Sequence, residues 1–424
     1  MTAPTFGLTF TRDESDPRPA VGSDMSVIGL IGPMADAQAG IPINEPINFN
    51  STDTATLAAL GSSNFIADAV RGINDQLGTF QRAARIVLVR TPASANVDAA
   101  AARDENIASI VGDSLTGTGI NAFLGAGSLL GVTPRLIAAP GFTGYQATSA
   151  TANPICAALP SVLDRLLAHA VADGPATTKQ AALDWRETIQ SDRIIPLDPA
   201  IKVIDAVGAT TVRPASARVL GIAVRRDHEK GGKPFHSWAN QPMRGIIGPS
   251  RPIGFSLTDG ATEAQELLAN NVGVIIRGEG GVEDAIASGG FVYVGTDNAG
   301  EDDLWRFYNV MRGRDYIHLL YLKTLRFYLG RFNITLQTLQ SVANTMNFAL
   351  RDLKADNDIL GYQPVQFPDE QNPAEALRMG EVTVLFRAEE APVLRKINIL
   401  SGRYRPALED MIGSLAAQLT GVAA

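Results

Sequence analysis

The sequence predicts an α/β protein: a layered α/β core, then a smaller α+β C-terminal domain, with extended arms at both ends. Three observations carry this reading. Short apolar runs of buried-strand length, SVIGLIG (26–32), ARIVLVR (84–90) and PRLIAAP (134–140), alternate with stretches of helical spacing. Two long helical stretches, 303–330 and 336–355, follow one another late in the chain. The segment 380–404 then reads as two strands around an acidic, proline-containing turn. The corresponding boundaries are an arm over 1–22, the core over 23–285, the α+β domain over 286–400 and a C-terminal arm over 401–424.

In chain order, Phe6, Leu8 and Phe10 alternate with Gly7 and Thr9, so the first arm holds a short strand. The RDESDPRPAVG that follows is too polar and proline-rich to pack a core. After the strand at 26–32 the sequence IPINEPINFNS reads as a loop, and 52–77 has helical spacing. Strands at 84–90 and 134–139 flank Leu124–Leu130, and the second of them ends at Pro140-Gly141-Phe142. Residues 155–172 read as one helix broken at Pro160, and 181–189 as another. RIIP and AIKVID are strands, and 215–226 is a helix that covers the sheet. Turns crowd 235–253; a helix at 263–270 and strands at 272–277 and 291–294 precede the two late helices. In 336–355 the residues Leu336, Leu339, Val342, Met346, Leu350 and Leu353 recur at spacings of three and four. Residues 360–378 read as a loop. Val382, Val384 and Phe386 share a face of the first closing strand, and Val393, Ile397 and Ile399 a face of the second. Charges interrupt both runs, which suits half-exposed strands at a sheet edge, a place where copies of one chain can join.

Composition narrows the function. Of 424 residues, 45% are apolar and 19% charged, ample for a sizeable core in two or three domains. The net charge of −8 is mixed along the chain without a Lys/Arg block, which argues against a nucleic-acid partner. One cysteine, Cys156, excludes an internal disulfide framework and a multi-cysteine metal site. The most apolar segment, 316–329, contains His318, Lys323 and Arg326 and does not read as a membrane span. Met1 leads into a polar arm with no visible signal peptide, so synthesis in a cytoplasm is expected.

The search for chemistry returns little. Gly125, Gly127 and Gly131 come nearest to a dinucleotide fingerprint, but the last glycine is one place late and a strand follows it. The four histidines, His169, His228, His236 and His318, make no HExxH pair. His169 and His318 read as packed on apolar helices. His236 stands beside Ser237, yet no G-x-S-x-G elbow is present. No cofactor is therefore expected. Arg306, Arg312, Arg314, Lys323 and Arg326 on the first late helix, and Arg351 and Lys354 on the second, leave two readings open. They either solubilise helix ends or dock on an acidic protein surface.

With those residues in view, the chain resembles the contractile tail sheath proteins of bacteriophages and R-type bacteriocins. The resemblance covers most of the chain. It includes GLTFTRDESDPRPAVGSDMSVIGLIG (7–32), SLLGVTPRLIAAPGF (128–142), HAVADGPATT (169–178), SWANQPMRGIIGPSRPIGFSLTD (237–259) and GEVTVLFRAEEAPVLRKINI (380–399). The turn Asn240-Gln241-Pro242 is among its most specific pieces. The stretch GEGGVEDAIASGGFVYVGTDNAG (278–300) departs from the shorter link of that family. The resemblance implies a structural subunit without an active site, stacked in sixfold rings as a helical sheath around an inner tail tube. It implies baseplate and tail terminator proteins as further partners, a place in the virion tail after assembly in the host cytoplasm, and no membrane insertion. Contraction would drive the tube through the host envelope. The strand near Phe6, Leu8 and Phe10 and the C-terminal segment would exchange with neighbouring subunits along Val382, Val384, Phe386, Val393, Ile397 and Ile399. Arg351 and Lys354 would face the tube. The alternative is an α/β hydrolase-like enzyme; a carbohydrate- or receptor-binding module would show exposed aromatic clusters, whereas aromatics here are only 6% and mostly at core spacing.

Overall fold

A computed structural model describes residues 23–78, 83–205 and 208–421. Phe6, Leu8 and Phe10 lie outside the described residues. Strand β1 (Ile28–Pro33) lies inside a six-stranded sheet of order β2-β3-β1-β4-β5-β6. β2 (Pro46–Asn50) is its antiparallel edge and precedes helices α1 (Thr54–Ala59) and α2 (Phe65–Leu77). β3 (Arg85–Thr91), α3 (Ala99–Val111), α4 (Ala126–Leu130), β4 (Leu136–Ala138) and α5 (Pro154–Leu166) come next. β5 (His169–Asp173), α6 (Lys179–Glu187) and β6 (Ile194–Leu197) complete the sheet, whose strands other than β2 run parallel. Side chains of Asp53, Asn64, Asp98, Asn153 and Thr178 cap the first turns of α1, α2, α3, α5 and α6, supplying acceptors for orphan backbone donors.

Alternation along the strands divides the core into two layers. Ile28, Leu30, Ile86 and Leu88 point into one buried cluster, while Val27, Ile31, Val87 and Val89 point into the other. After β7 (Ile201–Ile204) and β8 (Thr210–Arg213), helix α7 (Ser216–Glu229) joins α2 in the first layer; α3 and α5 fill the second. The α2–α7 crossing is close because a Cβ at Gly221 would stand 3.0 Å from the Cα of Ile73. Arg218 spans that crossing to Asp68 at 2.9 Å.

β9 (Gln241–Pro242), β10 (Gly248–Pro249), α8 (Glu263–Ala269), β11 (Val274–Arg277) and β12 (Phe291–Val294) build small sheets of order β10-β7-β8 and β11-β12-β9. A separate apolar cluster then gathers α9 (Tyr308–Leu325), α10 (Leu336–Ala355) and β13 (Ile359–Gln366), with partly buried residues around β14 (Leu385–Glu390) packed against it. The short α11 (Ala374–Arg378) lies between β13 and β14 in sequence. The chain divides into compact units between Val393 and Leu394, and the second unit holds α12 (Pro406–Gly421).

Several expectations need correction. The single helix at 155–172 is α5 followed by β5, because Leu167 turns left-handed at φ 46° and ends the helix. His169 is thus on a strand. The loop expected at 41–51 contains β2, an edge strand that tolerates proline at its first position. The closing strand pair is not a hairpin of 382–386 with 393–399. β14 pairs backwards with β13, in a stretch expected to be loop, while 391–404 forms no regular element. Among the described residues the second run has no partner strand, and a run without one does not form a ladder. The C-terminal segment is not an extended arm throughout, since 406–421 is helical.

Candidate assembly interface

β13 and β14 form a two-stranded antiparallel ribbon, and among the described residues their outer edges pair with no other strand. An uncovered edge offers backbone donors and acceptors to an incoming strand. The ribbon is held from below by α9. Phe386 meets Tyr321 edge-on at 5.1 Å and His318 at 6.0 Å. Arg314 Nε donates to Glu390 at 2.6 Å, and its Nη2 donates to the Ala388 carbonyl at 2.7 Å. Asn309 Nδ2 donates to the carbonyl of Ala391 at 3.1 Å. Lys233 reaches Asp356 and Asp358 at the turn before β13. Burial would lower its pKa, but the bonds from those two carboxylates hold it above the usual lysine value.

The expected strand-exchange residues divide into two groups. Val384 and Phe386 pack against the α9–α10 cluster; Val382 is half-buried just ahead of β14. Val393 is half-buried, whereas Ile397 and Ile399 are 69% and 84% exposed on the irregular segment. Exposed apolar residues at alternate positions mark a segment suited to burial against a partner. Arg351 and Lys354 are both exposed at the end of α10. Arg351 also pairs with Asp352 at 3.1 Å and lies over the Phe348 ring, so its charge is partly met locally.

Arg312 and Arg314 on α9 are tied up in pairs within the chain, unlike either expected reading, whereas Arg326 is exposed at the helix end. Arg312 is fully buried and binds Asp227 of α7 at 2.6 Å, with a further bond to the Met25 carbonyl. Asp315 binds His169 at 2.9 Å and also Arg193. Burial would raise the Asp315 pKa, yet its bonds to His169 and Arg193 hold it well below the carboxylate range. Burial pushes the His169 pKa below its usual value, against the raising effect of Asp315. These pairs fasten α9 to α7 and to the parallel sheet.

Residues of catalytic type are occupied elsewhere. A cleft of about 690 Å3 at the C-terminal ends of β4 and β5 is lined by Phe65, Tyr145, Asp173 and Arg213. Asp173 accepts bonds from the Ser216 hydroxyl and from the amides of Ala215 and Ser216, which makes it the anchor of α7; burial still raises its pKa. Ser237 bonds to the Tyr308 hydroxyl, and the carboxylate paired with His236 is that of Asp358, at 3.9 Å. Burial pushes the Cys156 thiol up to about 12. Among the described residues there is no metal-holding group of three or more His, Cys, Asp or Glu, and no helix is long and apolar enough to cross a membrane.

The described residues form an α/β scaffold that leaves the β13–β14 ribbon edges without a further strand and several apolar side chains exposed. No family profile matches the chain. A candidate prophage major tail sheath protein of Pseudomonas aeruginosa (strain UCBPP-PA14) is 28% identical over 393 residues, 91% of this chain and 93% of the relative. The tail sheath protein of Escherichia phage P2 is 23% identical, covering 88% of this chain and 89% of its own length. In fold, the chain is similar to the sheath of an extracellular contractile injection system, PVC, in the contracted state. That match has a TM-score of 0.66 at 15% identity and covers 96% of this chain and all of that one. The contracted helical sheath of the anti-feeding prophage gives a TM-score of 0.64 at 17% identity, over 95% of this chain and all of that one. The chain is a homologue of phage and prophage tail sheath proteins, with the fold of contractile injection system sheaths. None of these similarities supports a hydrolase.

Proposed function

We propose that the chain is the repeating subunit of a contractile tail sheath. Copies stack as sixfold rings around an inner tube, between a baseplate and a tail terminator, and contract to drive the tube through the host envelope. The observation that carries the proposal is the near full-length likeness to tail sheath proteins, 393 residues in the Pseudomonas relative. In this reading residues 23–285 are the rigid core and 286–400 the tube-facing, strand-accepting domain, with Arg351 and Lys354 turned to the tube. The arm at 1–22, through Phe6, Leu8 and Phe10, and the segment carrying Val393, Ile397 and Ile399 add strands to the ribbon that holds Val382, Val384 and Phe386. Main-chain pairing tolerates side-chain rearrangement, so such joints survive while rigid domains repack. A heterologous contact that does not close generates a helix of subunits. The role is structural and needs no cofactor.

Negative-stain microscopy of the intact protein beside a variant lacking 1–22 tests this. Striated tubes or rings from the intact chain, lost in the variant, are expected. Closed dimers from both chains, or turnover of an ester or peptide, would overturn the sheath assignment.

A further inference from the structure

We propose that the acidic turn just ahead of α9 in one copy docks, head to tail, on the tip of the α9–α10 hairpin of a second copy. The turn is Glu301-Asp302-Asp303-Leu304-Trp305, and 301–303 is the one place in the sequence with three consecutive acids. Its last three residues form a short 3-10 turn, opened by the Asp302 side chain, which accepts from the Leu304 amide at 2.9 Å. Leu304 is thereby held out in solvent, 82% exposed. Behind it Trp305 is half-buried and lies 5.0 Å from the Arg314 guanidinium, so the base of the knob is anchored. The local bases leave the acids largely unmatched. Arg306 reaches Asp297 at 3.1 Å and Asp303 only at 3.7 Å, Arg314 is paired with Glu390, and Arg186 donates to the Ile189 carbonyl. Among the described residues Glu301 and Asp302 have no ion pair. Acids ahead of a helix also suit its N-terminal dipole, but that accounts for the charge and not for the exposed Leu304.

The hairpin tip has the complementary surface. Leu322, Leu329, Phe332, Ile334 and Leu336 are 39–76% exposed within one stretch of the chain. Phe327, Tyr328 and Phe332 hold the stretch together through ring contacts of 5.4–5.7 Å. No acid occurs between Asp315 and Asp352, while Lys323, Arg326 and Arg331 lie at the tip. Among the described residues Arg326 and Arg331 have no ion pair, and Arg331 lies over the Phe327 ring at 5.3 Å. An apolar knob beside unmet acids thus matches an apolar surface beside unmet bases. The 18 residues of α9 hold knob and tip about 27 Å apart, so the two cannot meet within one chain. A contact between two different patches of identical copies is heterologous and repeats from copy to copy, as a ring or a filament. It joins side chains of folded elements, separate from any strand exchange, and does not rest on the sheath assignment.

Disulfide trapping in the full-length protein tests it, with the native Cys156 buried. Leu304→Cys with one affinity tag is co-expressed with Leu329→Cys carrying another, and mild oxidant is added. A disulfide-linked heterodimer bearing both tags is expected, at least fivefold above the yield when Val97→Cys, a fully exposed position, replaces Leu329→Cys. A chain carrying both cysteines should give a ladder of dimers, trimers and longer products. Glu301→Lys with Asp303→Lys in the first chain should reduce the heterodimer several-fold, and Arg326→Glu with Arg331→Glu in the second should restore part of it; the capping Asp302 is left in place. Three results would each overturn the proposal. One is heterodimer at the Val97→Cys level. Another is homodimer of either single variant as the main product, which marks a symmetric contact. The third is Leu329→Cys shielded from alkylation only after an inner-tube protein is added. Microscopy of the same samples reads tube formation separately: tubes without the trapped heterodimer remove this contact and leave the sheath assignment standing.

Discussion

Arg312 and Asp227 lie side by side with neither side chain exposed to water. Removing one partner of such a pair leaves a buried charge unmet, so Arg312→Met alone should cost about 3–5 kcal/mol in denaturant unfolding. Replacing both, as Arg312→Met with Asp227→Leu, should recover most of that loss. His169 supplies a pH dependence. Its folded pKa is below the usual value, so acidification protonates the unfolded chain first and draws the equilibrium towards it. Stability should therefore fall as pH drops from about 7 to 5, by at most about 1.4 kcal/mol per pH unit from this group. His169→Gln should flatten that slope in thermal melts at several pH values; an unchanged slope would assign it to other groups. Asp315, held low, stays charged through this window and loses its contribution only at stronger acidity. The sequence hid these roles because Arg312 finds its partner 85 residues away and His169 finds its own 146 away. A signal existed all the same: Arg312 and Asp315 sit at helical spacing with Tyr308 and Leu319, on the face that is buried.

Elements with one long, uninterrupted period were legible from the sequence. The expected helix 336–355 coincides with α10, and the strand 291–294 with β12. Leu350 is fully buried on α10, and Leu350→Ala should cost about 2–5 kcal/mol, against under about 0.5 kcal/mol for exposed Leu360 on β13, both read from chemical denaturation. β5 was illegible because LLAHAVA continues the mostly apolar run of α5 with no glycine or proline between them, and such a run reads equally as buried helix or buried strand. β13 was illegible for the opposite reason: LGYQPVQ mixes polar and proline positions, and its pairing with β14 comes from tertiary packing on α9 and α10. The closing segment does alternate apolar and polar residues, but alternation alone does not supply a partner, and the second expected strand does not form. In the single chain that alternation remains exposed at Ile397 and Ile399.

At the scale of the molecule, the compact units divide at Val393, where the exposed segment begins. A chain ending at Val393 should keep one cooperative thermal transition and lose the ability to form tubes, as read by calorimetry and microscopy. Retained tubes would move the assembly determinants entirely into residues 1–393. The anchoring of β14 also has a mechanical meaning. Tension arriving along the backbone at Val393 meets Glu390 and Ala391 first, and these are tied to α9 through Arg314 and Asn309. From α9 the load divides, through Arg312 to α7 and through Asp315 to β5. A pull on the end of the ribbon is thus spread as shear across several charged crosslinks, and no single strand has to peel away one hydrogen bond at a time.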